Sequence, residues 1–171
     1  MEAWDLYTQD RVKTGQTMLR GDSVPEGLFH LQVHVCIFNE QGEMLIQQRQ
    51  STKRWYAGLW DYSVGGSAVA GDTSLAAAER ETLEELGLRV SLAGRKPAVT
   101  RWYGSMIDDY YILPLNVALS DLHLQREEVQ AVRWAGREDI LALLAEGQFC
   151  PNPPGMIALL FDLFQEERGS G

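Results

Sequence analysis

The chain has 171 residues, 45% of them hydrophobic and 23% charged, the profile of one globular domain with a sizeable core. Its formal charge of -9 repels phosphate backbones and anionic lipid, which argues against a nucleic-acid polymer or a membrane surface as partner. No run of about 18 apolar residues offers a spanning helix, and Cys36 and Cys150 have neither zinc nor disulfide-framework spacing.

The N-terminal "MEAWDLYTQD" has no basic or apolar leader pattern, and with the two thiols it predicts a reducing, cytoplasmic setting. Ala3 to Thr8 and Gly15 to Gly21 pattern as a hairpin over about residues 3–21. Leu31 to Phe38 is a β-branched, apolar strand; Asn39-Glu40-Gln41-Gly42 is a polar turn, and Met44 to Arg49 is the returning strand. A loop rich in bases and aromatics, "STKRWYAGLW", leads to a short strand at Tyr62 to Val64. A helix follows from Ser74 to Leu86, with Asp72 or Thr73 as N-cap and Gly87 as its stop. Further strands are expected at Leu88 to Leu92, Ala98 to Tyr103, Tyr110 to Ala118 and Ala131 to Trp134, and two helices over about residues 137–167 close the chain, the second with an apolar stripe of Met156, Leu159, Leu160 and Leu163. Strands joined partly by hairpins and partly by helical crossovers predict an α/β fold, a central mixed β-sheet flanked by helices on both faces.

The helix "AAERETLEELG" is unusual in carrying Glu79, Glu81, Glu84 and Glu85, since like charges three and four residues apart repel. At about 100° per residue, Glu81, Glu84 and Glu85 fall within an arc of roughly 100°. Leu75, Ala76, Leu83 and Leu86 cluster opposite and are the expected buried face, while Ala77 and Ala78 leave space among the acids; Glu79 has no evident role. Converging carboxylates are a hard-oxygen site for Mg²⁺ or a similar cation, which would remove the repulsion. A solvated acidic face is the alternative for any helix of this composition.

The surrounding spacing decides between them. Gly66, Asp72, Arg80, Glu81, Glu84, Glu85, Gly87 and Leu88 stand in the pattern G-x5-[E/D]-x7-R-E-x-x-E-E-x-G-L over residues 66–88. This resembles the Nudix box, with Asp72 in place of the usual Glu and Thr82 in place of an apolar residue. The likeness extends through "VHVCIFNEQGEMLIQQRQ" and "AGLWDYSVGGS", covers about residues 4 to 135, and is strongest to the Nudix branch related to isopentenyl-diphosphate isomerase.

The resemblance implies a Nudix-type α/β/α sandwich formed by the whole chain, 1–171, as a single hydrolase domain, and Mg²⁺ or Mn²⁺ as cofactor. It implies Glu81 and Glu85 as direct metal ligands, Glu84 as a further ligand or the group that orients attacking water, and the main-chain carbonyl of Gly65 in support. Arg80 would fix the carboxylates by ion pairing, with Asp72 as a water-mediated partner and Gly66 leaving room for phosphate. Glu127 and Glu128 are candidates for a base outside the helix, Glu128 foremost. Arg49, with Lys53 and Arg54 behind it, is placed to meet phosphates. Asp108 and Asp109 bind a substrate hydroxyl or cap a loop. Trp55, Tyr56, Trp102 and Tyr103 stack on a substrate or fill core.

The expected reaction is hydrolysis of a phosphoanhydride in a nucleoside diphosphate derivative or related small-molecule diphosphate. Two alternatives stand beside it. An isomerase of the related branch would need a cysteine where Gly65 stands and a histidine where Ser67 stands; only His30 matches one of its histidines. A non-catalytic, nucleotide-sensing Nudix domain would be expected to lose acids of the box, which this chain keeps. His30 and His34 share one face of their strand and read as packing or hydrogen-bonding residues. Since the family often forms dimers, the N-terminal hairpin is a candidate edge for a homodimer.

Overall fold

The computed structural model describes residues 2–169. Its nine strands are β1 (Ala3–Tyr7), β2 (Lys13–Leu19), β3 (His30–Phe38), β4 (Met44–Arg49), β5 (Trp60–Asp61), β6 (Val64–Ser67), β7 (Val99–Tyr103), β8 (Met106–Pro114) and β9 (Val129–Ala135). Three α-helices accompany them: α1 (Ser74–Leu86), α2 (Arg137–Ala145) and α3 (Pro154–Gly169).

β3 organises the molecule. Its second half, Val35 to Phe38, is apolar on both sides, as a central strand covered on both faces requires, while His30, Gln32 and His34 alternate with apolar residues in its first half. It pairs in parallel with β8 from His30↔Met106 to Phe38↔Pro114 and antiparallel with β6 from Gln32↔Ser67 to Val35↔Val64. The β3–β4 hairpin keeps one strand pair, Phe38↔Met44, before the strands part and β4 takes up β9 and β5. β7 closes the other edge against β8. The result is a mixed seven-stranded sheet with α1 on one face and α2 and α3 on the other, the sandwich expected. Val33, Val35 and Ile37 of β3 face Ala77, Ala78 and Leu86 of α1, while Cys36 and Phe38 face α3, where Phe38 stacks on Phe164 at 4.3 Å and meets Phe161 edge-on at 5.0 Å. Both cysteines are buried and free, and no helix among the described residues is long and apolar enough to cross a membrane.

Several local expectations are corrected. Leu88 to Leu92 is not a strand: its leucines pack into the α1-side core, but the Leu92 N–H is taken by the Glu79 carboxylate at 2.6 Å, which also accounts for Glu79. The strand expected at Tyr110 to Ala118 begins at Met106 and ends at Pro114, so Asp108 and Asp109 lie within it. In α3 the buried stripe is Met156, Ile157, Leu160, Phe161 and Phe164, with Leu159 exposed, because the two phenylalanines seat the helix on Phe38. The buried side of α1 is also rotated from expectation. Ala77, Ala78, Thr82, Glu85 and Leu86 are buried, whereas Ala76 and Leu83 are exposed. The alanines do not leave open space; they let the helix approach the sheet closely, and Glu85 is carried inward with them. Thr82 tolerates its burial by donating to the Ala78 carbonyl at 2.7 Å.

The hairpin β1–β2 is a separate two-stranded sheet joined to the body by the Tyr7–Phe29 bridge. In the turn between its strands Arg11, held at φ 61°, reaches Asp109 with both terminal nitrogens. Asp109 is fully buried and also receives Thr100 Oγ1 at 2.6 Å and the hydroxyl of Ser74. Its oxygens are thus occupied in tying the hairpin to the first turn of α1, a structural role in place of the substrate hydroxyl or loop cap expected of it.

Candidate active site

Helix α1 begins at Thr73, whose hydroxyl accepts from Ala76 N at 3.1 Å, and ends at Gly87, at φ 69°, whose N–H reaches Leu83 O at 2.9 Å. Gly87 is required twice over, because a Cβ there would lie 2.6 Å from His123 Cβ. These stops set the helix register against β6 and bring Glu81 and Glu85 to the Gly65–Gly66 pair.

The two glycines face opposite sides of the sheet. A Cβ on Gly66 would lie 2.2 Å from the Glu81 carboxyl carbon; one on Gly65 would lie 3.1 Å from His34 Nδ1. Gly66 therefore makes the seat of the Glu81 carboxylate, and Gly65 lets the His34 ring lie over the strand. Glu85 is 6% exposed and accepts from Gln47 Nε2 at 2.6 Å and from the Gly65 N–H at 3.3 Å. Gln47 was not singled out in the sequence; a glutamine inside the apolar run "MLIQ" was the available signal, since a polar side chain buried in a strand needs a partner.

Arg80 spans the outer side of the cluster. It donates to Glu81 at 2.8 Å, Glu84 at 3.1 Å, Asp72 at 3.1 Å and the Ser67 carbonyl at 3.2 Å. Asp72, though shorter than the usual Glu, reaches Arg80 and also receives the Val69 N–H at 3.3 Å. Glu84 is half exposed and pairs with Arg80. Arg49 donates to the Trp55 carbonyl and approaches Asp61 at 3.5 Å; Lys53 pairs with Glu128. The structure thus brings Glu81, Glu85, Gly65, Gly66, Arg80 and Asp72 together, with Glu84 at the outer rim. Trp55, Tyr56, Trp102 and Tyr103 are all exposed, which removes the core reading for them.

The expected convergence of three carboxylates takes a different form. Among the described residues no three acidic, histidine or cysteine side chains close around one point. Like charges separate onto the partners at hand: Glu81 and Glu84 onto Arg80, Glu85 onto neutral N–H donors. Burial nevertheless leaves the inner pair short of positive charge. It pushes the Glu85 carboxyl up to about 8, against the lowering effect of Gln47, and the Glu81 carboxyl up to about 7, against that of Arg80. Glu85, buried among neutral donors, and Glu81, partly buried beside Arg80, flank a glycine pair without side chains, and two such carboxylates fit a hard divalent ion.

A family model described as NUDIX domain matches residues 28–154. An uncharacterized Nudix hydrolase of Listeria monocytogenes is 45% identical over 151 residues, 88% of this chain and 89% of its own. The isopentenyl-diphosphate Delta-isomerase of Streptomyces coelicolor is 27% identical over 150 residues, 85% of this chain and 76% of its own. Among solved structures, DR0079 of Deinococcus radiodurans shares the fold with a TM-score of 0.77 at 22% identity, covering 92% of this chain and 98% of that one.

Proposed function

The chain belongs to the Nudix family of hydrolases acting on phosphoanhydrides, and from that premise we propose that it cleaves the diphosphate of a nucleoside diphosphate derivative or related small molecule with Mg²⁺ or Mn²⁺. The observation that carries this reading is the pair Glu81 and Glu85, one partly and one fully buried, lodged against Gly66 and Gly65.

Glu81 and Glu85, with the Gly65 main chain, would hold the ion. When bound, it offsets the negative charge of the diphosphate and lowers the pKa of coordinated water. Arg80 fixes the orientation of Glu81, Glu84 and Asp72 together, so the carboxylates do not reorganise during reaction. Glu84 gives one oxygen to Arg80 and presents the other to solvent, where it accepts a proton from the attacking water. A new P–O bond forms to that water, the anhydride P–O bond breaks, and the leaving phosphate departs with the bridging oxygen. Glu128, engaged by Lys53, is less available as the base.

The isomerase reading loses its acid, for the position is Gly65 and a Cβ there already meets His34 Nδ1 at 3.1 Å. Assay of purified protein against nucleoside diphosphates, nucleotide sugars, dinucleoside polyphosphates and isoprenoid diphosphates tests the proposal. Phosphate or monophosphate release that needs added Mg²⁺ or Mn²⁺ and stops with chelator is expected. Metal-independent release, or isomerised isoprenoid diphosphate, would contradict it.

A further inference from the structure

The hairpin β1–β2 lies outside the stretch, residues 28–154, that the family model matches, yet its polar groups converge on the turn that leads into α1. That turn, Val69 to Asp72, closes with the Asp72 N–H on the Val69 carbonyl at 3.0 Å. Ala70 and Gly71 are exposed, and a Cβ on Gly71 would meet nothing within 4 Å, so side-chain packing does not fix the middle of the turn. Hydrogen bonds to the hairpin do. The Ala70 N–H donates to the Ala3 carbonyl at 2.7 Å and the Gly71 N–H to Asp5 Oδ2 at 2.9 Å. Lys13 Nζ donates to Asp5 Oδ2 at 2.5 Å and to the Asp72 carbonyl at 3.2 Å.

The same turn carries the Asp72 carboxylate, which accepts from Arg80 Nη2 at 3.1 Å and Nε at 3.3 Å. Arg80 in turn holds Glu81 and Glu84. A continuous path therefore runs from Lys13 through Asp72 and Arg80 to two acids of the hydrolytic centre. A second tie fixes the other side of the turn. Arg11 pairs with buried Asp109, which receives the hydroxyl of Ser74, the first residue of α1, and Ser74 Oγ accepts from the Tyr111 hydroxyl at 2.9 Å. The hairpin is thus bound both to the turn before α1 and to the start of the helix itself.

We propose that the hairpin is part of the hydrolytic apparatus and that Lys13 is a positioning residue, which fixes the Asp72 turn and through it the orientation of Arg80, Glu81 and Glu84. The inference rests on the hydrolase reading above and adds a residue outside the box on which that reaction depends. Exposure separates this role from a purely stabilising one. The Lys13 side chain is 45% exposed, and an exposed ion pair contributes little to global stability. Its two acceptors nevertheless hold a turn that orients carboxylates, where a displacement of about 1 Å costs about 10²-fold in rate. Loss of Lys13 therefore costs turnover out of proportion to stability.

The test compares wild type, Lys13→Met, Lys13→Arg and Arg137→Met in the full chain, the last removing another exposed ion pair, to Asp162, that joins α2 to α3. Lys13→Met is expected to lower kcat about tenfold with KM changed by less than about threefold, while melting close to Arg137→Met. Lys13→Arg should recover most of kcat, and Arg137→Met should keep wild-type kinetics. The Arg80 Nε–H signal, followed by NMR in metal-free protein, reads the same path without turnover. It should be sharp and slow to exchange in wild type and Lys13→Arg, and broadened or shifted in Lys13→Met. Wild-type protein that hydrolyses no diphosphate would defeat the hydrolase reading by itself, and the Arg80 signal would still decide whether Lys13 holds Arg80. A Lys13→Met chain that unfolds, keeps wild-type kcat or leaves the Arg80 signal unmoved would overturn the proposal.

Discussion

Glu85→Gln is expected to lower kcat/KM by about 10³-fold, on the order of 4 kcal/mol of transition-state stabilisation, while leaving the fold intact. Both halves of that expectation come from one environment. Glu85 is 6% exposed and accepts from Gln47 and Gly65; a glutamine of the same shape keeps an oxygen for those donors but carries no charge for a cation. The stability of the metal-free protein follows the same carboxyl. Burial raises its folded pKa to about 8, above the unfolded value, so its contribution is fully present below the unfolded pKa and is lost as pH rises toward and through about 8. Metal-free Glu85→Gln should therefore melt at or above the wild-type temperature at pH 8 to 9, and gain less from added Mg²⁺. Thermal melts with and without Mg²⁺ across that pH range, together with kinetics, check it. A variant that unfolds, or one that retains wild-type turnover, would show that Glu85 serves the fold rather than the ion.

Gly66→Ala should also inactivate the protein, by geometry alone. A Cβ 2.2 Å from the Glu81 carboxyl carbon cannot coexist with the present side chain, so either the carboxylate swings out or β6 shifts. The carboxylate is the far end of a flexible side chain and can swing aside at little cost in stability, but a displacement of about 1 Å at a reacting centre costs about 10²-fold in rate. Gly65→Ala is the internal control. Its Cβ would meet His34 Nδ1 at 3.1 Å, on a ring held between Tyr110 and Tyr62, so its effect should appear as lost stability rather than as a displaced Glu81. Denaturant melts and steady-state rates of the two alanine variants give the comparison; equal effects at both positions would mean that the strand, not the Glu81 seat, governs the result.

The parts of this molecule legible in its sequence are those set by local chemistry. The start and end of α1 follow from Thr73 and Gly87, and the β3–β4 hairpin follows from an apolar strand ending at a polar turn. The box spacing placed Glu81, Glu85 and Arg80 in one helix. Tertiary choices were less visible. Glu85 shares the inward side of α1 with the alanines because Gln47 and the Gly65 N–H donate to it there, and Gln47 is 38 residues away in sequence. Asp109 looked available for substrate because nothing nearby in sequence pairs it; its cation, Arg11, comes from the N-terminal hairpin. Leu88 to Leu92 has the alternation of a strand without a neighbour to complete a ladder, and Glu79 supplies a hydrogen bond in its place. In each case the deciding partner is distant along the chain, where pattern and spacing carry no information.

The central claim is that Glu81 and Glu85 form the seat of a divalent ion, and calorimetric titration of the metal-free protein with Mn²⁺ tests it most directly. In two buffers of different ionisation enthalpy at pH 6.5, binding should release protons from carboxyls raised to about 7 and 8, and the Glu81→Gln, Glu85→Gln double variant should show neither binding nor release. Heat and proton release undiminished in that double variant would place the ion elsewhere and contradict the account.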